Sequence, residues 1–201
     1  MTFSVAGFCE RTGMVGVAIT SSSISVASRC PWVRAGVGAA STQNITDPSL
    51  GDAMLDLIAK GSSSEQAIEI VTKDRKFIDY RQLTVIDNKG QSSSFSGTKT
   101  LGTHAVAQGN DCIAAGNLLI STEIPQAIVD NFSKHSDLHL AERLLLALNA
   151  GLDAGGEEGP IHSAGLKVAH EHSWPLVDLR VDWADEKPID KLIDLWRNYE
   201  E

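Results

Sequence analysis

The chain has 201 residues, 42% of them hydrophobic and 21% charged, the make-up of an ordinary globular protein. That length suffices for one domain with a substantial core, and a single domain over residues 1–201 is expected. A formal charge of −9 opposes a phosphate backbone, so no nucleic-acid partner is expected; no apolar run approaches the ~18 residues that span a bilayer, which speaks against a membrane partner.

The chain opens with strand patterns. Phe3, Val5 and Gly7 alternate with Ser4, Ala6 and Phe8, and Glu10-Arg11-Thr12-Gly13 supplies a turn into Met14 to Thr20. This is an antiparallel hairpin whose strands are apolar on both faces, as expected at the centre of a sheet covered on both sides. Further strands are expected over Ser23 to Ala27 and Ala35 to Ser41. Asp47-Pro48 then starts a helix over Leu50 to Ala59, and Ser64 caps a second one carrying Ala67, Ile68 and Val71. Strands return at Gln82 to Ile86, Gln91 to Phe95, Thr103 to Ala107 and Asp111 to Ala115. Two more helices follow, over Glu123 to Phe132 and over Leu138 to Gly151, with Asp137 as the expected cap of the latter. Glycine- and acid-rich Gly151 to Gly159 reads as an exposed loop. Strands over Ala164 to Val168 and Leu176 to Val181 precede a closing helix from Pro188. Paired helices between antiparallel strand groups predict an α+β fold, a four-layer α/β/β/α sandwich of two antiparallel sheets, with a two-layer α+β domain as the alternative.

Several kinds of chemistry find little support. His135 and His139 stand four apart and His170 and His172 two apart, but no third ligand accompanies either pair, so no metal site is expected. Gly36-Val37-Gly38 lacks the rest of a phosphate-binding loop, and no GxSxG elbow occurs. Cys9, Cys30 and Cys112 are odd in number and widely spaced, against a disulfide framework. With no basic segment leading into an apolar run, a cytoplasmic location is the expectation.

Thr2 is different. Removal of Met1 would leave a hydroxyl and an α-amine on one residue, a nucleophile with its own base at neutral pH. Second-position threonine is common, and its bland reading is no role at all. With Met1 in place its nitrogen is an amide and cannot act as a base. Polar residues inside apolar strands offer company: Arg34, then Thr42-Gln43-Asn44, then Gly116-Asn117, where an Asn amide and nearby backbone N–H groups suit an oxyanion.

Thr2-Phe3-Ser4-Val5, Pro31-Trp32-Val33-Arg34-Ala35-Gly36-Val37-Gly38-Ala39 with Thr42-Gln43, Arg81-Gln82-Leu83, Gly116-Asn117-Leu118-Leu119, Ala141-Glu142-Arg143-Leu144-Leu145 and Val177-Asp178-Leu179-Arg180-Val181 follow in order. Together they resemble an uncharacterised, mostly bacterial family, domain of unknown function 1028, grouped with the N-terminal nucleophile hydrolases. The resemblance spans essentially the whole chain. It departs where Ala115 precedes Gly116-Asn117, at His162-Ser163-Ala164 and at Leu101-Gly102-Thr103-His104. What it implies is the α/β/β/α sandwich, a homo-oligomer, and processed Thr2 as nucleophile of an amidohydrolase acting on a small non-peptide or modified-peptide amide. Asn117 is then the expected oxyanion donor, Arg34 the grip on a substrate carboxylate, and Thr42, Gln43 and Arg81 further pocket residues. No cofactor is called for. The alternative is a non-catalytic small-molecule-binding or assembly protein on the same fold.

Overall fold

The computed structural model describes residues 1–200 and contains ten strands and five α-helices. Strands β1 (Thr2–Phe8) and β2 (Val15–Ser21) are buried along their whole length. They form the antiparallel hairpin read from the alternation, closed by a turn in which Gly13 takes φ 74°. Six strands make the first sheet, in the order β10 (Val177–Val181), β9 (Ser163–Ala169), β2, β1, β8 (Cys112–Asn117), β7 (Ala105–Gly109). The hairpin is therefore central, as two-sided apolar strands require. A second sheet runs β3 (Pro31–Arg34), β4 (Gly38–Asn44), β5 (Arg81–Asp87), β6 (Ser92–Ser96), and every pairing in both sheets is antiparallel.

Strand alternation divides the side chains between two surroundings. Phe3 and Val5 pack with residues of α3 (Ile124–Lys134), α4 (Leu140–Asp153) and α5 (Pro188–Glu200). Ala6, Phe8, Val15, Val17 and Ile113 meet Ala39 and Ile86 of the second sheet, so these faces of the two sheets look at each other. On its other face the second sheet packs Ala40, Leu83 and Val85 against Leu50, Met54 and Leu55 of α1 (Ser49–Ala59) and Ile68 and Val71 of α2 (Ser64–Thr72).

Three local expectations are corrected. Ser23 to Ala27 is not a strand: Ser25 takes φ 54° and leads into a 3-10 turn over Val26–Ser28. The strand lies later, at Pro31–Arg34, paired to a β4 that runs on to Asn44. The helix starts slip by one or two residues. Ser63, rather than Ser64, caps α2 in a reciprocal box with Gln66, and His139, rather than Asp137, caps α4 by accepting the Ala141 N–H. Finally, the stretch after α4 is not simply exposed. Ile120 N–H donates to Gly156 O at 3.1 Å and Glu158 N–H to Leu118 O at 2.9 Å, laying this segment along the exit of β8. Glu157 is thereby only 5% exposed.

Candidate active site

Thr2 begins the central strand and pairs on one side with Ser21 and on the other with Asn117. Directly paired residues point to the same face, here the one that looks at the second sheet. Thr2, Ser21 and Asn117 are all buried. The Met1 carbonyl oxygen accepts from both Thr2 Oγ1 and Ser21 Oγ, each at 2.5 Å, and the two hydroxyls are 3.2 Å apart. Ser21 is fixed in turn by the Ser23 N–H, which donates to its Oγ at 3.1 Å. An acyl carbonyl thus lies between two hydroxyl donors at the end of β1.

A chain of buried polar side chains continues from there between the sheets. Ser4 Oγ donates to Gln43 Oε1 at 2.8 Å, and Ser41 Oγ donates to the same atom at 3.1 Å. Gln43 Nε2 donates to Gln82 Oε1 at 2.8 Å, which also receives Asn117 Nδ2 at 3.0 Å. Gln82 Nε2 closes the chain on the Gly116 carbonyl at 3.0 Å. Each amide fixes the next, which is how side chains are held in one geometry in a low dielectric. Asn117 Oδ1 is left buried without a donor. Leu118, the next residue, sits at φ 51°, a conformation side chains seldom adopt.

Glu157 closes the other side. Its Oε2 accepts the Ser22 N–H at 3.3 Å, while Oε1 is buried with no donor. Burial pushes its carboxyl up to about 8, against the opposing pull of the Met1 α-ammonium and the Ser22 hydrogen bonds. A buried acceptor without a donor costs about 1–3 kcal/mol, and Asn117 Oδ1 carries that cost on the residue paired with Thr2.

Of the residues singled out in the sequence, Thr2, Gln43 and Asn117 are brought together; Arg34, Thr42 and Arg81 are not. Arg34 is half-exposed and pairs with Asp56 at 2.7 Å and Asp52 at 3.3 Å on α1. It stands opposite Gly38, five residues along β4 from Gln43 and so about 16 Å away. Thr42 falls on the helix-facing side of β4, where its Oγ1 bonds Thr46 Oγ1 at 2.7 Å. Arg81 alternates with Gln82 onto that same outer face and donates to the Ile45 carbonyl. Ser21, Gln82 and Glu157 join the site without having been picked out. Counting outward from the hairpin turn, Phe8 opposite Val15 puts Ser21 opposite Thr2, a signal that was present in the sequence. Nothing local marked Glu157.

The comparisons fit this geometry to one family. The profile of a Family of unknown function (DUF1028) matches residues 2–192. A crystal structure of a protein of that family from Silicibacter pomeroyi overlays with a TM-score of 0.92 at 28% identity, covering 100% of this chain and 89% of that one. Anbu, an ancestral β-subunit, from Yersinia bercovieri overlays with a TM-score of only 0.42 at 12% identity, over 98% of this chain and 94% of that one. A mutant Anbu from Hyphomicrobium gives 0.42 at 14% identity, over 100% and 95%. Those two overlaps are too low to inform this chain's function. A search of curated proteins finds no match. With a profile running through Thr2, Gln43, Asn117 and Glu157, and a solved member that overlays the whole fold, this chain belongs to the family of unknown function DUF1028.

Proposed function

We propose that this chain, once Met1 is removed, is an N-terminal-nucleophile amidohydrolase that cleaves the C–N bond of a small non-peptide or modified-peptide amide through Thr2. On this reading the two sheets and their helical covers are a four-layer α/β/β/α sandwich, one domain over residues 1–201. The observation that carries the proposal is the Met1 carbonyl, held by Thr2 Oγ1 and Ser21 Oγ at the head of the central strand. An acyl group is already accommodated beside the hydroxyl that would attack it.

The chemistry needs only this chain's groups. The freed α-amine of Thr2 takes the Oγ1 proton as Oγ1 adds to the substrate carbonyl. Ser21 Oγ donates to the oxyanion that forms, in the position where it now donates to the Met1 carbonyl. Asn117 is the second donor on this reading: one Nδ2 hydrogen is engaged by Gln82, and the other is free for the oxyanion. Collapse breaks the C–N bond and the ammonium returns its proton to the leaving nitrogen. Water, deprotonated by the same amine, then hydrolyses the Thr2 ester and regenerates the hydroxyl. Gln43 and Gln82 hold Asn117 and Ser4 in place. Cys9, Cys30 and Cys112 are free and buried, which suits the reducing, cytoplasmic setting of this reading. Self-association belongs to the same proposal.

The test is a screen of amide and lactam substrates against the processed protein, with Thr2→Ala and Ser21→Ala alongside. Thr2→Ala is expected to abolish turnover, and Ser21→Ala to lower kcat by about 100-fold, the effect of losing one oxyanion donor. Equal turnover in the Thr2→Ala protein places the chemistry elsewhere. No turnover of any amide favours the binding protein.

A further inference from the structure

Met1 shows where an acyl group can lie. Its carbonyl oxygen sits between Thr2 Oγ1 and Ser21 Oγ. Any carbonyl that Oγ1 attacks must occupy the same neighbourhood, which Met1 vacates when it is removed. Beyond that carbonyl Met1 branches in two directions, its amine on the side of Glu157 and its side chain over Gly159.

On the amine side of Met1 stands Glu157, within range of the α-ammonium's charge but not ion-paired with it. The Met1 α-ammonium is the charge that counters the burial of this carboxyl. Glu157 Oε1 is buried and unpartnered, and the residue is more than nine-tenths buried. A ligand ammonium would supply both the missing donor and the opposite charge, the strong form of hydrogen bond. The side-chain branch lies over Gly159. A Cβ built there would come within 3.1 Å of Met1 Cε and 3.6 Å of its Sδ, so a side chain there would press on the end of the methionine and make it give way. Glu157 and Gly159 also line a cleft of about 360 Å³, where Asp185 and Glu186 add acidic groups and Lys187 is the one cation. The surroundings therefore favour a cation over an anion.

We propose that the Thr2 site takes amides of α-amino acids bearing a free α-ammonium group and an unbranched apolar side chain, with Glu157 receiving the ammonium and Gly159 admitting the side chain. This rests on the amidohydrolase reading of Thr2. The Oγ1–acyl bond forms as the C–N bond breaks, the amide nitrogen leaves with the proton that Oγ1 gave up, and water releases the free amino acid. Acylation of the substrate's amine removes the charge and places a carbonyl against the Glu157 carboxylate, so such amides are rejected.

The experiment compares L-methioninamide with N-acetyl-L-methioninamide as substrates of the Met1-free protein, in wild type, Glu157→Gln and Gly159→Ala. Calorimetry with L-methioninol, which has the ammonium and side chain but no amide, runs beside it. The free amine is expected to be preferred roughly 100-fold in kcat/KM, with the preference and methioninol binding both lost in Glu157→Gln. Gly159→Ala is expected to shift the preference from L-methioninamide to glycinamide, which tests the same path should Glu157→Gln fail to fold. Glu157-dependent binding of methioninol without turnover of any amide supports the ammonium site and overturns the hydrolase reading alone. Turnover with equal rates for the two amides, or with a preference unchanged in both variants, overturns the ammonium site alone. Neither turnover nor binding overturns it as well.

Discussion

Glu157 connects the site to stability through its proton. Its carboxyl is raised to about 8 in the folded chain from an ordinary value of 4.5, and burial is the first cause. Between those values the folded state holds a proton that the unfolded state has released, so stability falls as pH rises. The groups around it are the Met1 α-amine and, across the cleft, Asp185, Glu186 and Lys187. In the Met1-bearing protein, Glu157→Gln is therefore expected to leave Tm nearly unchanged at pH 4 to 5 and to raise it above pH 8. The gain there is on the order of a few kcal/mol. A Tm difference that does not vary with pH would assign Glu157 an ordinary, ionised environment. At this scale the sequence was partly legible. Thr2, Gln43 and Asn117 stood out as polar residues at strand ends, where a side chain must find a partner or a use. Ser21 hid in a serine run that resembles a loop, and only strand register distinguishes it. Glu157 was illegible because its burial depends on backbone bonds from residues 156 and 158 to residues 120 and 118, contacts with no local signature.

Helices are set against the central hairpin by close approach, on the face turned away from Thr2. A Cβ at Gly7 would stand 2.7 Å from the Phe132 ring of α3, and one at Gly16 2.7 Å from Leu144 of α4 and 2.9 Å from the Lys167 carbonyl of β9. Backbone on one side and a packed leucine on the other leave no room to yield. Gly16→Ala is expected to lower stability by about 1–3 kcal/mol, read as a lower denaturant midpoint at unchanged slope. An unchanged midpoint would mean that α4 rides more loosely on β2 than the packing indicates. Apolar periodicity made the helices and the hairpin legible, because 3.6-residue and 2-residue patterns dominate there. It failed between Ser22 and Val37. Ser25 turns the chain in a left-handed conformation that its residue type does not announce, and the four-residue β3 is too short for alternation to register. Cap positions slipped because Ser63, Ser64, Asp137 and His139 are all competent acceptors, and geometry chooses between them.

At the scale of the molecule, two sheets pack apolar residues against each other at the Phe8 end of β1 and polar ones at the Thr2 end. That gradient places the ordered amide network beside the chain's first residues, and Gly159 of the acidic cleft lies against the Met1 side chain. No helix among the described residues is long and apolar enough to cross a membrane. The formal charge of −9 agrees with a site that draws a small cation rather than an anion. Everything catalytic in this account depends on whether Thr2 carries a free amine. The decisive measurement is the intact mass of the protein purified from its native host in a fraction that hydrolyses an amide. A mass corresponding to a chain that starts at Thr2 is the result this account predicts. An active protein whose mass still includes Met1 would contradict it.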